Sequence, residues 1–241
     1  MGDSVVTTEI VALRREIRHG AARCRLRASM TTIRDSLGHA LSGASTPALD
    51  HYELACHELR CYIGDPLGHA QKASNQSPEM TMGHLLVAYL NLLGTEPGGQ
   101  QPARDALQAA LALPADEREQ AHRSAVEHLV AGRWHAAGMV LEDLSIRYPL
   151  DALALQVGHQ VDFFTGHSRM LRDRIARAAG AWSSGMPGYH ALLGMYAFGL
   201  EETGDYPRAE ASIMSSTTAE SLARMRASTS ASTVAVSFRP R

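Results

Sequence analysis

The sequence predicts an all-α chain of stacked helical hairpins, and three observations predict it. Gly132-Arg133-Trp134 and Gly166-His167-Ser168 lie 34 residues apart, each between two helix-like segments, and a related turn, Thr203-Gly204-Asp205-Tyr206, follows 38 residues later. The apolar residues are mostly Ala and Leu, with aromatics at only 5%, a set suited to close helix packing rather than to sheets. Pro and Gly gather between the periodic segments, where they punctuate rather than interrupt them. A 34-residue interval is the repeat length of helix–turn–helix arrays of the tetratricopeptide type. One such hairpin cannot bury its own apolar face and gains stability by stacking on its neighbours. The fold class expected is therefore a tetratricopeptide-like helical-hairpin repeat array, an α-solenoid.

The elements follow in order. Residues 6–40 alternate apolar and basic positions, with Ile10, Leu13, Ile17, Leu26, Ile33 and Leu37 as a candidate buried stripe and Gly20 as a break between two helices. Ser42-Gly43-Ala44-Ser45-Thr46-Pro47 reads as a linker. Tyr52, Leu54, Ala55, Leu59 and Tyr62 predict a helix stopping near Gly64-Asp65-Pro66. Residues 80–94 are apolar on most sides, which predicts a central, well-covered helix. After the breakers Glu96–Pro102, helix resumes from Arg104 to about Leu113, and Pro114-Ala115-Asp116-Glu117 has the early Pro and acidic first turn of a helix start. Residues 116–131 and Trp134 to Tyr148 make one pair, ended by Pro149, which lacks an amide hydrogen. Asp151 to Thr165 and Arg169 to Trp182 make the next. Ser184–Gly188 is a break, Tyr189 to Thr203 a further helix, and Tyr206-Pro207-Arg208-Ala209-Glu210 the start of its partner. Beyond it the chain turns Ser/Thr-rich with few large apolar residues, too little buriable area to offset the ordering entropy of its backbone. The organisation expected is an N-terminal helical segment over 1–47, a helical array over 48–210 and a disordered tail over 211–241, with weak helix around 218–227.

A formal charge of −2 and a pI near 6.6 give no electrostatic reason to expect nucleic acid or an anionic membrane. Arg14, Arg15, Arg18, Arg23, Arg25 and Arg27 form basic clusters, yet without a recognisable reading helix they read as helix surface. Cys24, Cys56 and Cys61 make neither a disulfide framework nor a zinc knuckle, which fits a reducing compartment. No apolar run approaches 18 residues, and the opening lacks the basic-then-apolar order of a secretory signal. A cytoplasmic protein is expected, with no nucleic acid and no membrane.

The stretch Val157–Gly166 and the following Leu171–Arg177, the segments Tyr148–Leu155 and Met82–Leu90, and above all Pro187-Gly188-Tyr189-His190-Ala191-Leu192-Leu193-Gly194-Met195-Tyr196-Ala197-Phe198-Gly199-Leu200-Glu201-Glu202 resemble the tetratricopeptide repeat protein 38 family. The resemblance runs from about residue 50 to residue 210. It implies an all-helical tetratricopeptide-like array in a family of largely uncharacterised role, and no known reaction. Family members continue through further repeats after the region matching Gly204-Asp205-Tyr206, where this chain has its Ser/Thr-rich tail. The change near Ile213 suggests the hypothesis of a truncated or frame-shifted product. Sequencing the gene past this point in all frames tests it, and finding no repeat-like continuation removes it.

Twelve histidines are the one excess that points to chemistry. His159 and Asp162, three apart on a helix, suit an imidazole held by a carboxylate, a base or supported metal ligand. The plainer reading is a helix-surface bond or a histidine packed beside Phe163. His84, in the most apolar segment, and His190, after Tyr189, join His159 on one concave surface if the array folds back; otherwise they are interior histidines bonded to backbone or water. Tyr189, Tyr196 and Phe198 make either a peptide-binding wall or ordinary core. His57-Glu58-Leu59-Arg60-Cys61, with His51 upstream, offers zinc-type donors but no second cluster, so no metal or cofactor is expected. Nothing local identifies a base to activate Cys61. The candidate pocket or groove residues are thus His84, His159, Asp162, His190 and Tyr189. The leading expectation is a non-enzymatic scaffold holding a protein or peptide partner on its concave face. The alternative is a histidine-dependent enzyme or small-molecule-binding protein with a pocket enclosed by the array.

Overall fold

The computed structural model describes residues 32–215. Regular structure in that span is helical, and its one β contact is an isolated antiparallel bridge between Arg34 and Ala40. The helices are α1 (Thr46–Cys61), α2 (Pro66–Gln76), α3 (Thr81–Leu93), α4 (Gln100–Leu111), α5 (Glu117–Val130), α6 (Trp134–Arg147), α7 (Ala152–Phe164), α8 (Ser168–Ala179), α9 (Tyr189–Glu201) and α10 (206–215). A 3-10 turn, Pro97–Gly99, precedes α4. Each helix from α1 to α8 packs on the next, as does α9 on α8.

Taken in twos the helices form hairpins whose first members begin at Thr46, Thr81, Glu117, Ala152 and Tyr189, at intervals of 35, 36, 35 and 37 residues. The turns after α5, α7 and α9 share one hydrogen-bond pattern. Gly132, Gly166 and Gly204 all have positive φ, and each donates its N–H to the carbonyl three residues back: Leu129, Phe163 and Glu201. The next residue, Arg133, His167 or Asp205, donates to the carbonyl five back. This is the Schellman arrangement, and glycine supplies its left-handed residue without the clash a Cβ brings. The three sequence turns are therefore one structure used three times.

Three helix starts are fixed by carboxylates. Asp116 and Glu119 form a reciprocal capping box on α5, Asp151 accepts from Ala154 N at the start of α7, and Asp65 accepts from Gly68 N at the start of α2. The most covered helix is α3, whose Met82, Leu85, Leu86, Ala88 and Tyr89 are fully buried. It touches α2, α4, α5 and α7, the central place its apolar sequence predicts. A main core runs from Leu41 to Val161, and a second cluster centres on Leu155, Ile175, Trp182 and Leu192.

Three boundaries differ from expectation. The helical stripe over 6–40 does not reach its end as helix. From residue 32 to 41 the chain is a turn, because Asp35 Oδ1 accepts the amides of Leu37 and His39 while Gly38 adopts φ 91°. Leu41 is buried, and Ser42 N donates to Glu119 Oε1, so residues 33–45 are fastened to the hairpins rather than belonging to a separate segment ending at 47. Helix α2 had no expected counterpart. Pro66 reads as a stop, but with Asp65 before it as N-cap it occupies the first helical turn, where its missing N–H costs nothing. At the other end α10 stays helical to residue 215, past the tail boundary at 210. The helices expected before residue 32, and the tail beyond 215 with its weak helix, lie outside the described residues.

Candidate functional site

A cleft of ≈ 710 Å³ lies between α1, the turn at 34–36 and the connection from α8 to α9. Its first wall is Asp50, Glu53, His57 and Arg60, at spacings that put all four on one face of α1. The facing wall is Ser184 to His190. That connection is anchored at its beginning by Trp182, which is buried and donates its indole N–H to Pro149 O at 2.8 Å. It turns through Met186 N to Ser183 O and Tyr189 N to Met186 O, and Gly188 enters α9 with φ 84°. A Cβ at Gly188 would stand 3.2 Å from Arg60 Nε, so the guanidinium lies directly against this backbone.

The polar groups of the cleft divide by their commitments. Glu53 accepts from both the amide and the hydroxyl of Ser36, and Asp35 is spent on its own turn. Asp50 is exposed at the rim. Beside the cleft, Cys61 Sγ stands 3.5 Å from His190 Nε2 and 3.7 Å from His57 Nδ1. The sequence shows His57 four residues from Cys61 but not His190, which is 129 residues away. Cys56, one turn earlier, is buried, and burial pushes its thiol up to about 12.

The expected site residues fall in different places. Tyr189 and His190 line this cleft. His84 is half-buried elsewhere and its Nε2–H donates to Pro78 O at 2.9 Å. His159 and Asp162 are both buried, but their side chains are committed to different partners. His159 donates through Nε2 to Met195 O at 3.1 Å and meets the Phe198 ring edge-on. Burial pushes its imidazole down to about 4, with the Met195 bond opposing and Arg174 assisting, so it is neutral at physiological pH. Asp162 receives a bidentate pair from Arg174 at 2.8 and 3.0 Å. Burial raises its carboxyl, and that guanidinium offsets part of the rise. This arrangement ties α7 to α8, and Arg174 also donates to Gly138 O on α6. Tyr196 bonds Arg208 on α10.

A second buried network was invisible to motif reading. Asp151 Oδ2 accepts from Arg118 at 2.8 Å and from His122 Nε2 at 3.0 Å, while Tyr89 bonds His122 and Arg118 also donates to Ala40 O. Burial would raise the Asp151 carboxyl, but His122, Arg118 and the Ala154 amide outweigh it and hold it well below the carboxylate range. These side chains are nearly without solvent contact and serve to join residue 40, α3, α5 and α7.

An aromatic row, Trp134–Phe164–Phe163–Phe198, crosses three hairpins edge to face, and Phe163 and Phe164 are exposed. A second hollow, ≈ 730 Å³, opens beside Trp134 and Phe164 at the hairpin turns. Among the described residues no group of three or more His, Cys, Asp or Glu is placed to hold a metal, and no helix is long and apolar enough to cross a membrane. No protein-family model and no solved structure matches this chain.

Proposed function

We propose that this chain is a tetratricopeptide-like helical-hairpin array, of the kind its resemblance to the tetratricopeptide repeat protein 38 family implies, acting in the cytoplasm as a non-enzymatic binding module. The observation that carries the functional reading is the cleft. Its polar wall is one face of the first hairpin's leading helix, and its other wall is the connection before the last hairpin. The regular hairpin interval and the shared glycine turns support the repeat reading. The commitment of His159 and Asp162 to structural partners turns the balance away from a histidine-dependent enzyme. In this reading the cleft receives a segment of a protein or peptide partner, and α1 sets its specificity.

A photo-crosslinking side chain placed at Asp50 tests this against the same probe at Phe164. Partner adducts are expected from position 50, and the paired change Glu53→Ala and Tyr189→Ala should remove them. Adducts arising only from position 164, or persisting after the paired change, would reject the cleft as the recognition surface. The cleft's volume also falls within the range of about 300–1,000 Å³ typical of small-molecule sites. That favours a second reading, a small-molecule-binding protein, which native mass spectrometry of the full chain distinguishes by a retained mass.

A further inference from the structure

Arg60 is the polar residue of the cleft whose structural role is unaccounted for. Its Nε is shielded from solvent and has no hydrogen-bond partner. Among the described residues no carboxylate lies within ion-pairing distance of its guanidinium. Arg60 is half-buried, so the terminal nitrogens of its guanidinium stay open to the cleft while the charge has no counter-charge beside it. Arg118 and Arg174, the buried arginines among the described residues, also keep one unpartnered nitrogen each, but their charges are met, by Asp151 and Asp162. Arg60 has no such partner and borders a cavity large enough for a ligand.

The chemistry beside Arg60 reinforces the contrast. His57 lies one turn before it on the same face, and His190 lines the opposite wall, so two imidazoles accompany the guanidinium. The acidic groups nearest by position have other hydrogen-bond partners or face solvent. Glu53 and Asp35 accept hydrogen bonds from the 34–40 turn, and Asp50 is solvated at the rim. Arg60 thus offers the cleft a planar fork of N–H donors without a carboxylate partner, which matches an oxyanion in two-pronged geometry.

We propose that Arg60 is the anchor of an oxyanion-binding subsite in this cleft, receiving a carboxylate or phosphate group with His57 and His190 beside it. The proposal rests on the cleft being the recognition site and names the chemistry of what enters it. The carboxylate and phosphate forms share that chemistry and differ in the probe that reports them.

The experiment is a titration of the full chain with sodium phosphate and, separately, sodium acetate at constant ionic strength in chloride. It follows the Arg60 Nε–H cross-peak by NMR and the heat by calorimetry. A saturable shift of that peak with phosphate alone assigns a phosphoryl ligand, and with acetate a carboxylate; either supports the subsite. Arg60→Gln is expected to weaken the binding by roughly tenfold or more, the scale of a lost charge-assisted contact. Arg60→Lys, which keeps the charge and stem without the fork, should lose less, and Asp143→Asn, exposed on α6 and outside the cleft lining, should lose none. Circular dichroism checks that the variants fold, while the wild-type titration stands without them. No saturable shift with either ion, or binding unchanged in a folded Arg60→Gln protein, overturns the proposal. Cleft-dependent crosslinks in that event would leave the binding-module reading intact and remove only the oxyanion.

Discussion

Replacing Gly158 with Ala is the sharpest probe of how the hairpins are held together. Gly158 lies inside α7, where exchange for Ala would ordinarily stabilise a helix by up to about 1 kcal/mol. Here the added Cβ would sit 2.8 Å from Arg174 Nε and Cζ and 2.9 Å from Nη1, closer than such atoms approach. The guanidinium cannot simply swing aside, because it is fully buried and fixed by both oxygens of Asp162 and by Gly138 O. Accommodating the methyl means loosening that pair, and breaking a buried pair costs about 3–5 kcal/mol. The net expectation is a destabilisation of about 2–4 kcal/mol, opposite in sign to the propensity effect. Urea unfolding followed by circular dichroism measures it, with unfolding midpoints compared so that departures from two-state behaviour do not enter. In an Arg174→Ala background the space is vacant, and the same Gly158→Ala change should become neutral or stabilising. A rise in stability in the wild-type background would refute the account of Arg174 as an immobile neighbour.

Two further predictions concern titration and reactivity. The His159 imidazole falls from 6.5 unfolded to about 4 folded, so between those pH values the unfolded chain binds more protons and stability is lost as pH falls. The loss across that window is on the order of 3 kcal/mol, and His159→Gln, which keeps an N–H for Met195 O, should flatten the profile there; matching profiles for the two proteins would contradict it. Cys56, buried and with its thiol near 12, should resist iodoacetamide at pH 8 until urea exposes it. Mass-spectrometric detection of native-state alkylation at the rate of an open thiol would show that its burial is transient.

Local signals carried most of the helical plan. The glycines at 132, 166 and 204 were legible because a left-handed residue between two helical patterns has few other meanings, and all three adopt it. Pro66 shows the limit of the same reasoning. Proline marks a boundary without saying which side of it is helix, and the answer lay in Asp65, whose side chain caps the segment that follows. The candidate pair His159 and Asp162 obeyed helix spacing, but spacing cannot weigh a partner from another helix. Arg174 sits in a helix carrying Arg169, Arg172 and Arg177, where one more arginine reads as surface. The one local hint was a glycine at 158 in mid-helix, the mark of something large pressed against the backbone. One wall of the cleft was likewise legible as a polar face at 50, 53, 57 and 60. Its other wall comes from more than 120 residues later, beyond any periodicity.

The cleft's geometry depends on groups that never touch it. Its base, the turn at 34–36, is held at its near end by Glu53 and at its far end through Ala40 and Ser42. Those residues are bonded by Arg118 and Glu119, neighbours on α5, and Arg118 is in turn fixed by Asp151 at the start of α7. Asp151 follows Pro149, whose carbonyl receives Trp182 at the root of the opposite wall. A series of polar contacts, joined by short stretches of backbone and buried at Arg118–Asp151, therefore reaches from the base of the cleft to the connection that faces α1. The central link, Arg118 to Asp151, is buried and cannot be exchanged for solvent without cost, so loosening Asp151 would disturb both sides together. A cleft held in this way has its walls set before any ligand arrives, which spares binding the entropy of assembling them. That preorganisation gives physical meaning to Arg60: the backbone at Gly188 lies against its Nε and holds the half-buried guanidinium at the wall of the cleft.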